Sequence, residues 1–108
     1  MDSSNLVIHD LKQKKVSPEF GTIIHEEYAI KGTKGLTIKY FHKDNKYIDK
    51  IIIFSKNGEY VMRTTEGDKS NETILSKDEL LKLLAKDRRI KFALDIVKYE
   101  PSKPKTKT

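Results

Sequence analysis

The chain has 108 residues, 36% of them hydrophobic and 35% charged, with a formal net charge of +6. A chain of this length can bury one hydrophobic core of modest size, which excludes a two-domain arrangement. The absence of cysteine excludes disulfides, thiolate metal sites and cysteine nucleophiles. No apolar run is long enough to span a membrane and no secretory signal is visible, so we expect a soluble intracellular protein with no membrane partner.

The excess of positive charge is concentrated at the C-terminus. Residues 101–108 contain three lysines, two prolines and no acidic or apolar residue, and they predict a disordered basic tail. Such a tail either contacts phosphates or serves only solubility. In the whole chain, lysine outnumbers arginine by 19 to 3, which favours contact with a phosphate backbone over bidentate reading of base edges.

The sequence preceding the main domain predicts an N-terminal arm over residues 1–18. It combines one apolar patch at residues 6–8 with three lysines and the helix-disfavouring Pro18, and we expect it to dock by a short strand. Residues 19–100 then form a single α+β domain.

Short runs of β-branched and aromatic residues begin after the arm. They predict a four-stranded antiparallel meander with strands at residues 22–30, 36–43, 47–54 and 60–65. Asn57-Gly58 is the preferred pair for a two-residue hairpin turn, and Asp44-Asn45 tolerates the same backbone angles. The connection at residues 31–35 is longer and leaves the register of the first strand open.

A capped helix follows the sheet. Ser76-Lys77-Asp78-Glu79 is a capping box, which predicts a helix over residues 77–86 with a leucine stripe. A turn of charge at residues 86–89 interrupts this stripe, and Arg88 and Arg89 either compensate the helix end or extend a basic groove. Residues 90–98 fit both a helix and a strand, and we favour a kinked or second helix.

The two hairpin turns assign the side chains to two faces of the sheet. They pair Phe41 with Ile48 and Lys39 with Lys50, and in the second hairpin Phe54 with Val61 and Ile52 with Arg63. One face is apolar apart from Asp49 and is the natural partner of the helix. The second face mixes cationic and apolar residues, namely Lys39, Phe41, Lys43, Lys46, Ile48, Lys50, Ile52, Phe54, Val61 and Arg63.

The mixed face predicts binding of single-stranded DNA or RNA with low sequence specificity. Lysines neutralise phosphates while aromatic rings stack on unpaired bases. The predicted binding residues are Lys39, Phe41, Lys43, Lys50, Phe54 and Arg63. Two alternatives remain open, since the same face is also suited to a homodimer or other protein interface, or to covering by the N-terminal arm.

Element order adds a resemblance to a known family. Strands followed directly by the capped helix at Thr73-Ile74-Leu75-Ser76-Lys77-Asp78-Glu79-Leu80-Leu81 resemble transcriptional coactivators of the positive-cofactor-four type. The resemblance covers about residues 20–98. It implies a curved sheet that binds single-stranded DNA, C-terminal helices that form a homodimer, and a role in transcription.

Catalytic and metal-binding patterns are weak. His9, His25 and His42 lack the spacing of a hydrolytic zinc site, and His25 with Glu27 supplies only two ligands on one strand face. No nucleophile elbow, phosphate loop or dinucleotide fingerprint occurs. We therefore expect a binding protein rather than an enzyme, without cofactor or metal.

Overall fold

A computed structural model describes residues 7–32 and 35–98, which form a six-stranded antiparallel sheet followed by short helices. The strands lie side by side in chain order. They are β1 (Val7–Ser17), β2 (Gly21–Gly32), β3 (Gly35–Lys43), β4 (Ile48–Lys56), β5 (Glu59–Glu66) and β6 (Lys69–Leu75). Helix α1 (Lys77–Lys86), a 3₁₀ turn (Lys91–Ala93) and helix α2 (Leu94–Lys98) complete the described chain. Of these helices, none has the length and apolar character needed to cross a membrane.

The prediction of a four-stranded meander is wrong, because a further strand lies at each edge of the sheet. The N-terminal arm supplies β1, which pairs with β2 from Val7 opposite Lys31 to Ser17 opposite Gly21. The C-terminal edge is β6, whose Lys-Ser-Asn-Glu sequence has little β propensity and is exposed throughout. Gly67, with a φ of 64°, opens the two-residue turn that brings β6 back along β5.

The two predicted hairpin turns have different outcomes. Asn57 and Gly58 have φ angles of 52° and 83°, and the predicted pairing of Phe54 with Val61 is confirmed. The β3–β4 register is wrong by two residues, since Phe41 lies opposite Lys50 and Lys39 opposite Ile52.

The side chain of Asp44 explains the longer β3–β4 loop. Its Oδ1 accepts hydrogen bonds from the backbone N–H groups of Lys46 at 2.8 Å and Tyr47 at 2.9 Å. These bonds stabilise an Asx-type turn, so that four residues rather than two separate the strands. Because a shift of two residues preserves the alternation of side chains, the predicted division of the side chains between two faces is still correct.

The predicted helix and its cap are confirmed. The Ser76 hydroxyl accepts from the Glu79 N–H at 3.2 Å, and the Glu79 carboxylate accepts from the Ser76 N–H at 2.8 Å. Leu80 and Leu84 are completely buried. Residues 90–98 contain the 3₁₀ turn and α2, which confirms the helical interpretation and excludes the strand.

The helices pack on one face of the sheet and enclose the core there. Helix α1 contacts β5 and β6, whereas α2 reaches β2. The ammonium group of Lys31 donates to the Val97 carbonyl at 2.6 Å and ties α2 to β2. The core consists of Ala29, Leu36, Ile38, Tyr40, Ile51, Ile53, Leu80, Leu84, Ile90, Ala93, Ile96 and Val97. This arrangement is α+β, and within residues 7–32 and 35–98 no helix packs on the other face of the sheet.

Candidate nucleic-acid interface

The surface opposite the helices, called the open face below, contains the predicted binding residues. Successive side chains of a strand alternate between faces, so strand pairing determines its membership. On the four central strands, the open face comprises Thr22, Ile24, Glu26, Tyr28 and Ile30 of β2, Thr37, Lys39, Phe41 and Lys43 of β3, Ile48, Lys50, Ile52, Phe54 and Lys56 of β4, and Glu59, Val61, Arg63 and Thr65 of β5.

A pocket near the middle of the open face brings three of the predicted residues together. Lys39, Phe41 and Lys50 all line this cavity of about 260 Å³. The complete lining is Glu26, Tyr28, Lys39, Tyr40, Phe41, Lys50 and Ile52. The Lys39 ammonium lies 6.0 Å from the centre of the Tyr28 ring, a cation–π contact across the β2–β3 pair. The pocket thus combines aromatic rings with exposed cations.

Phe54 and Arg63 form a separate group on the open face. The Arg63 guanidinium lies 5.3 Å from the centre of the Phe54 ring, and its Nε donates to Glu72 at 2.8 Å. Phe41 lies opposite Lys50, and Phe54 is four residues from Lys50 on the same strand, which places Phe54 about 13 Å along the sheet from Phe41. Phe54 and Phe41 therefore do not make one continuous stacking platform.

Lys43 lies outside both groups. It is exposed near the loop end of β3, opposite Ile24 on one side and Ile48 on the other. It adds charge to the border of the open face but lines no part of the pocket. Of the six predicted residues, the structure thus places three in the pocket, two in the Phe54–Arg63 group and one at the border.

Two pocket residues, Glu26 and Tyr28, were not predicted from the sequence. Both belong to β2, whose register depends on the pairing of Gly32 with Gly35. Two-residue loops are the commonest connection of a hairpin. Assuming a two-residue connection between Gly32 and Gly35 would have placed Tyr28 opposite Lys39 and Glu26 opposite Phe41.

The open face has an excess of positive charge. Across all six strands it carries seven basic and four acidic side chains. The basic ones are Lys12, Lys14, Lys39, Lys43, Lys50, Lys56 and Arg63, and the acidic ones are Asp10, Glu26, Glu59 and Glu72. Such a surface attracts polyanions at moderate ionic strength. The basic tail predicted at residues 101–108 lies outside the described residues.

The N-terminal segment does not cover the open face along β1. It pairs with the edge of β2 in the plane of the sheet, as an additional strand. The alternative in which the arm lies over the mixed face is therefore wrong for residues 7–17. The pocket residues Lys39 and Lys50 are exposed.

Arg89 belongs to the helix side and does not extend a basic groove. Its guanidinium donates to Asp49 at 3.0 and 3.1 Å and to Asp87 at 2.6 Å, with Glu66 at 3.4 Å. The hydrogen bonds between Arg89 and Asp87 outweigh the effect of burial and hold the pKa of Asp87 below its usual value. The role of Arg89 is to join the residue after α1 to β4.

Two histidines share a carboxylate on the helix side of the sheet. Glu27 lies 3.0 Å from the Nε2 of His9 through Oε1, and 2.9 Å from the Nε2 of His25 through Oε2. Burial raises the pKa of Glu27, but the hydrogen bonds with His25 and His9 prevail and lower it. Within residues 7–32 and 35–98, no three histidine, aspartate or glutamate side chains are arranged to hold a metal ion.

Comparisons with protein-family models, with curated proteins and with solved structures find no significant match to this chain. The resemblance to positive-cofactor-four coactivators rested on four strands before the helix, whereas six strands precede it here. The homodimer and the role in transcription that it implied stay predictions.

Proposed function

We propose that this protein binds single-stranded DNA or RNA through the open face, as a binding protein rather than an enzyme. The observation that carries the proposal is the pocket where Tyr28 and Phe41 lie among the exposed cations Lys39 and Lys50. Unpaired bases stack on aromatic rings, and ammonium groups release counterions from the phosphates. The overall excess of basic side chains on this face supports the same assignment.

The proposal is tested by fluorescence anisotropy with a labelled mixed-sequence oligonucleotide of about 20 nucleotides, single- and double-stranded, at two salt concentrations. We expect the single strand to bind more tightly than the duplex, and its affinity to fall with salt. An absence of single-strand binding at low salt would overturn the proposal.

Two substitutions separate stacking from charge neutralisation. Phe41→Ala should weaken binding by about 1–3 kcal/mol with little change in salt dependence. Lys39→Ala should reduce the slope of log affinity against log salt by about 0.7. Lys77→Ala is the matched control, because Lys77 is an exposed lysine at the start of α1, away from the open face. Unchanged binding in both open-face variants would exclude this surface.

A second candidate function is a protein interface, most simply a homodimer, on the same face. The observation that favours it is a row of mostly apolar residues across all six strands, Ile8, Ile30, Thr37, Phe54, Val61 and Ile74. Ile8 and Ile74 are 54% and 58% exposed at its two ends. Sedimentation velocity over a range of concentrations tests this candidate, with Ile74→Asp expected to dissociate the dimer. A wild-type monomer at every concentration would reject it.

A further inference from the structure

The pocket on the open face contains the carboxylate of Glu26. A negative charge does not favour the binding of phosphates, so this residue needs another explanation. Glu26 lies opposite Phe41 in the β2–β3 pair and lines the cavity. It is half-buried, and it makes no hydrogen bond or ion pair with any residue in 7–32 or 35–98. An ionised carboxylate only accepts hydrogen bonds, so an occupant that satisfies Glu26 must bring N–H or O–H donors into the pocket.

The size and walls of the pocket suit one planar ring system. Its volume of about 260 Å³ lies just below the range of about 300–1,000 Å³ typical of sites for drug-sized ligands. Tyr28 and Phe41 supply aromatic rings, and Ile52 adds an apolar contact. Single-stranded nucleic acids are recognised in this way, with a base stacked on an aromatic side chain while its Watson–Crick edge is hydrogen-bonded.

The donors and acceptors on the Watson–Crick edge of each base decide which base can hydrogen-bond to the Glu26 carboxylate. Guanine presents two adjacent donors, N1–H and the 2-amino group, which the two oxygens of one carboxylate accept together. Adenine and cytosine place a ring nitrogen acceptor beside their amino group. Uracil and thymine flank their one N–H with two carbonyl oxygens. Guanine is thus the only one of these bases whose Watson–Crick edge offers two adjacent donors to the two oxygens of one carboxylate.

We propose that the pocket binds a guanine base of a single-stranded nucleic acid, with Glu26 accepting hydrogen bonds from its Watson–Crick edge. Tyr28 and Phe41 contact the ring, and Lys39 and Lys50 contact the phosphates on either side. This inference rests on the proposed function and deepens it. The remaining open face tolerates any sequence, whereas this one position prefers guanine.

A competition experiment tests the base preference. A labelled thymidine tract bound to the full chain is displaced by unlabelled tracts that carry one central guanine, inosine, adenine or thymine. Inosine keeps the ring and N1–H of guanine and lacks the 2-amino group, so it isolates the second hydrogen bond. We expect the guanine tract to compete about tenfold better than the inosine and adenine tracts.

Two variants assign the preference to one side chain. Glu26→Gln should abolish the advantage of guanine over inosine. Glu59→Gln is the matched control, because Glu59 is an exposed carboxylate of the open face beside the Asn57-Gly58 turn, outside the pocket. Both variants remove one negative charge, so a general gain in affinity for all tracts is common to both. Only Glu26→Gln should change the order of the bases.

The outcomes separate this inference from the function on which it rests. Equal competition by all four tracts would overturn the guanine assignment while leaving single-strand binding intact. A guanine preference that persists in Glu26→Gln would overturn the role of Glu26. Failure of the wild-type chain to bind the labelled tract at low salt would overturn both proposals.

Discussion

Among individual residues, Arg89 joins three parts of the described structure, because its guanidinium contacts Asp49 of β4, Glu66 of β5 and Asp87 after α1. The sequence did not predict these contacts. Sequence reasoning placed Asp49 on the helix-facing side of the sheet and Arg89 after the helix, but had no means to pair them. They are 40 residues apart and joined by hydrogen bonds of 3.0 and 3.1 Å. Asp49 is only 8% exposed, so Arg89 supplies hydrogen bonds that water does not readily provide there.

Replacing Arg89 with alanine should lower the free energy of unfolding by about 2–3 kcal/mol, because it leaves Asp49 buried without a partner. Urea unfolding followed by circular dichroism measures the change. The neighbouring Arg88→Ala is the control, since Arg88 is exposed and has no described partner, and we expect a change within about 0.5 kcal/mol. Equal destabilisation by the two substitutions would contradict the structural role of Arg89.

At the scale of elements, the cap of α1 can be tested on its own. Ser76→Ala removes the hydroxyl that accepts from the Glu79 N–H and should cost about 1 kcal/mol of stability. Ser76→Asp retains an acceptor at the same position and should unfold at nearly the same urea concentration as the wild type. If the aspartate variant were as unstable as the alanine variant, the cap would not be the source of the effect.

The predictable elements were those with a strong local chemical signal, whereas elements with a weak or ambiguous local signal were missed or misplaced. The capping box and the Asn57-Gly58 turn each lie within four residues, so their geometry follows from the sequence. Strand β6 has mostly polar residues with little β propensity, and its local hairpin signal, Gly67-Asp68 after β5, was not used in the prediction. The β3–β4 register differs from the predicted one, because the Asp44 side chain accepts two backbone hydrogen bonds and lengthens the loop.

The candidate site was only partly predictable for the same reason. Alternation along β3 and β4 placed Lys39, Phe41 and Lys50 on one face, and the structure brings them into one pocket. The contribution of β2 required the register across residues 31–35, which was left open, and it supplies Glu26 and Tyr28. Phe54 was expected to act with Phe41, but its contact with Arg63 is a property of side-chain placement and not of strand order.

For the molecule as a whole, the paired carboxylates predict a loss of stability in acid. The pKa values of Glu27 and Asp87 are lowered in the folded state by their hydrogen bonds, despite opposing effects of burial. A group with a lowered folded pKa contributes stability above its unfolded pKa, and this contribution disappears as the pH falls through the folded value. We therefore expect stability to decline below about pH 4, near the unfolded pKa values of aspartate and glutamate.

Urea unfolding at a series of pH values between neutrality and acid measures this decline. Asp87→Asn should lower stability at neutral pH and show a shallower fall in acid, because the contribution that protonation removes is already missing. Asp95→Asn is the matched control, since Asp95 is an exposed aspartate of α2 with no described partner, and its profile should follow the wild type. A wild-type stability that stays level down to pH values well below 4, or an Asp87→Asn profile parallel to that of the wild type, would contradict the contribution assigned to the Arg89 ion pairs.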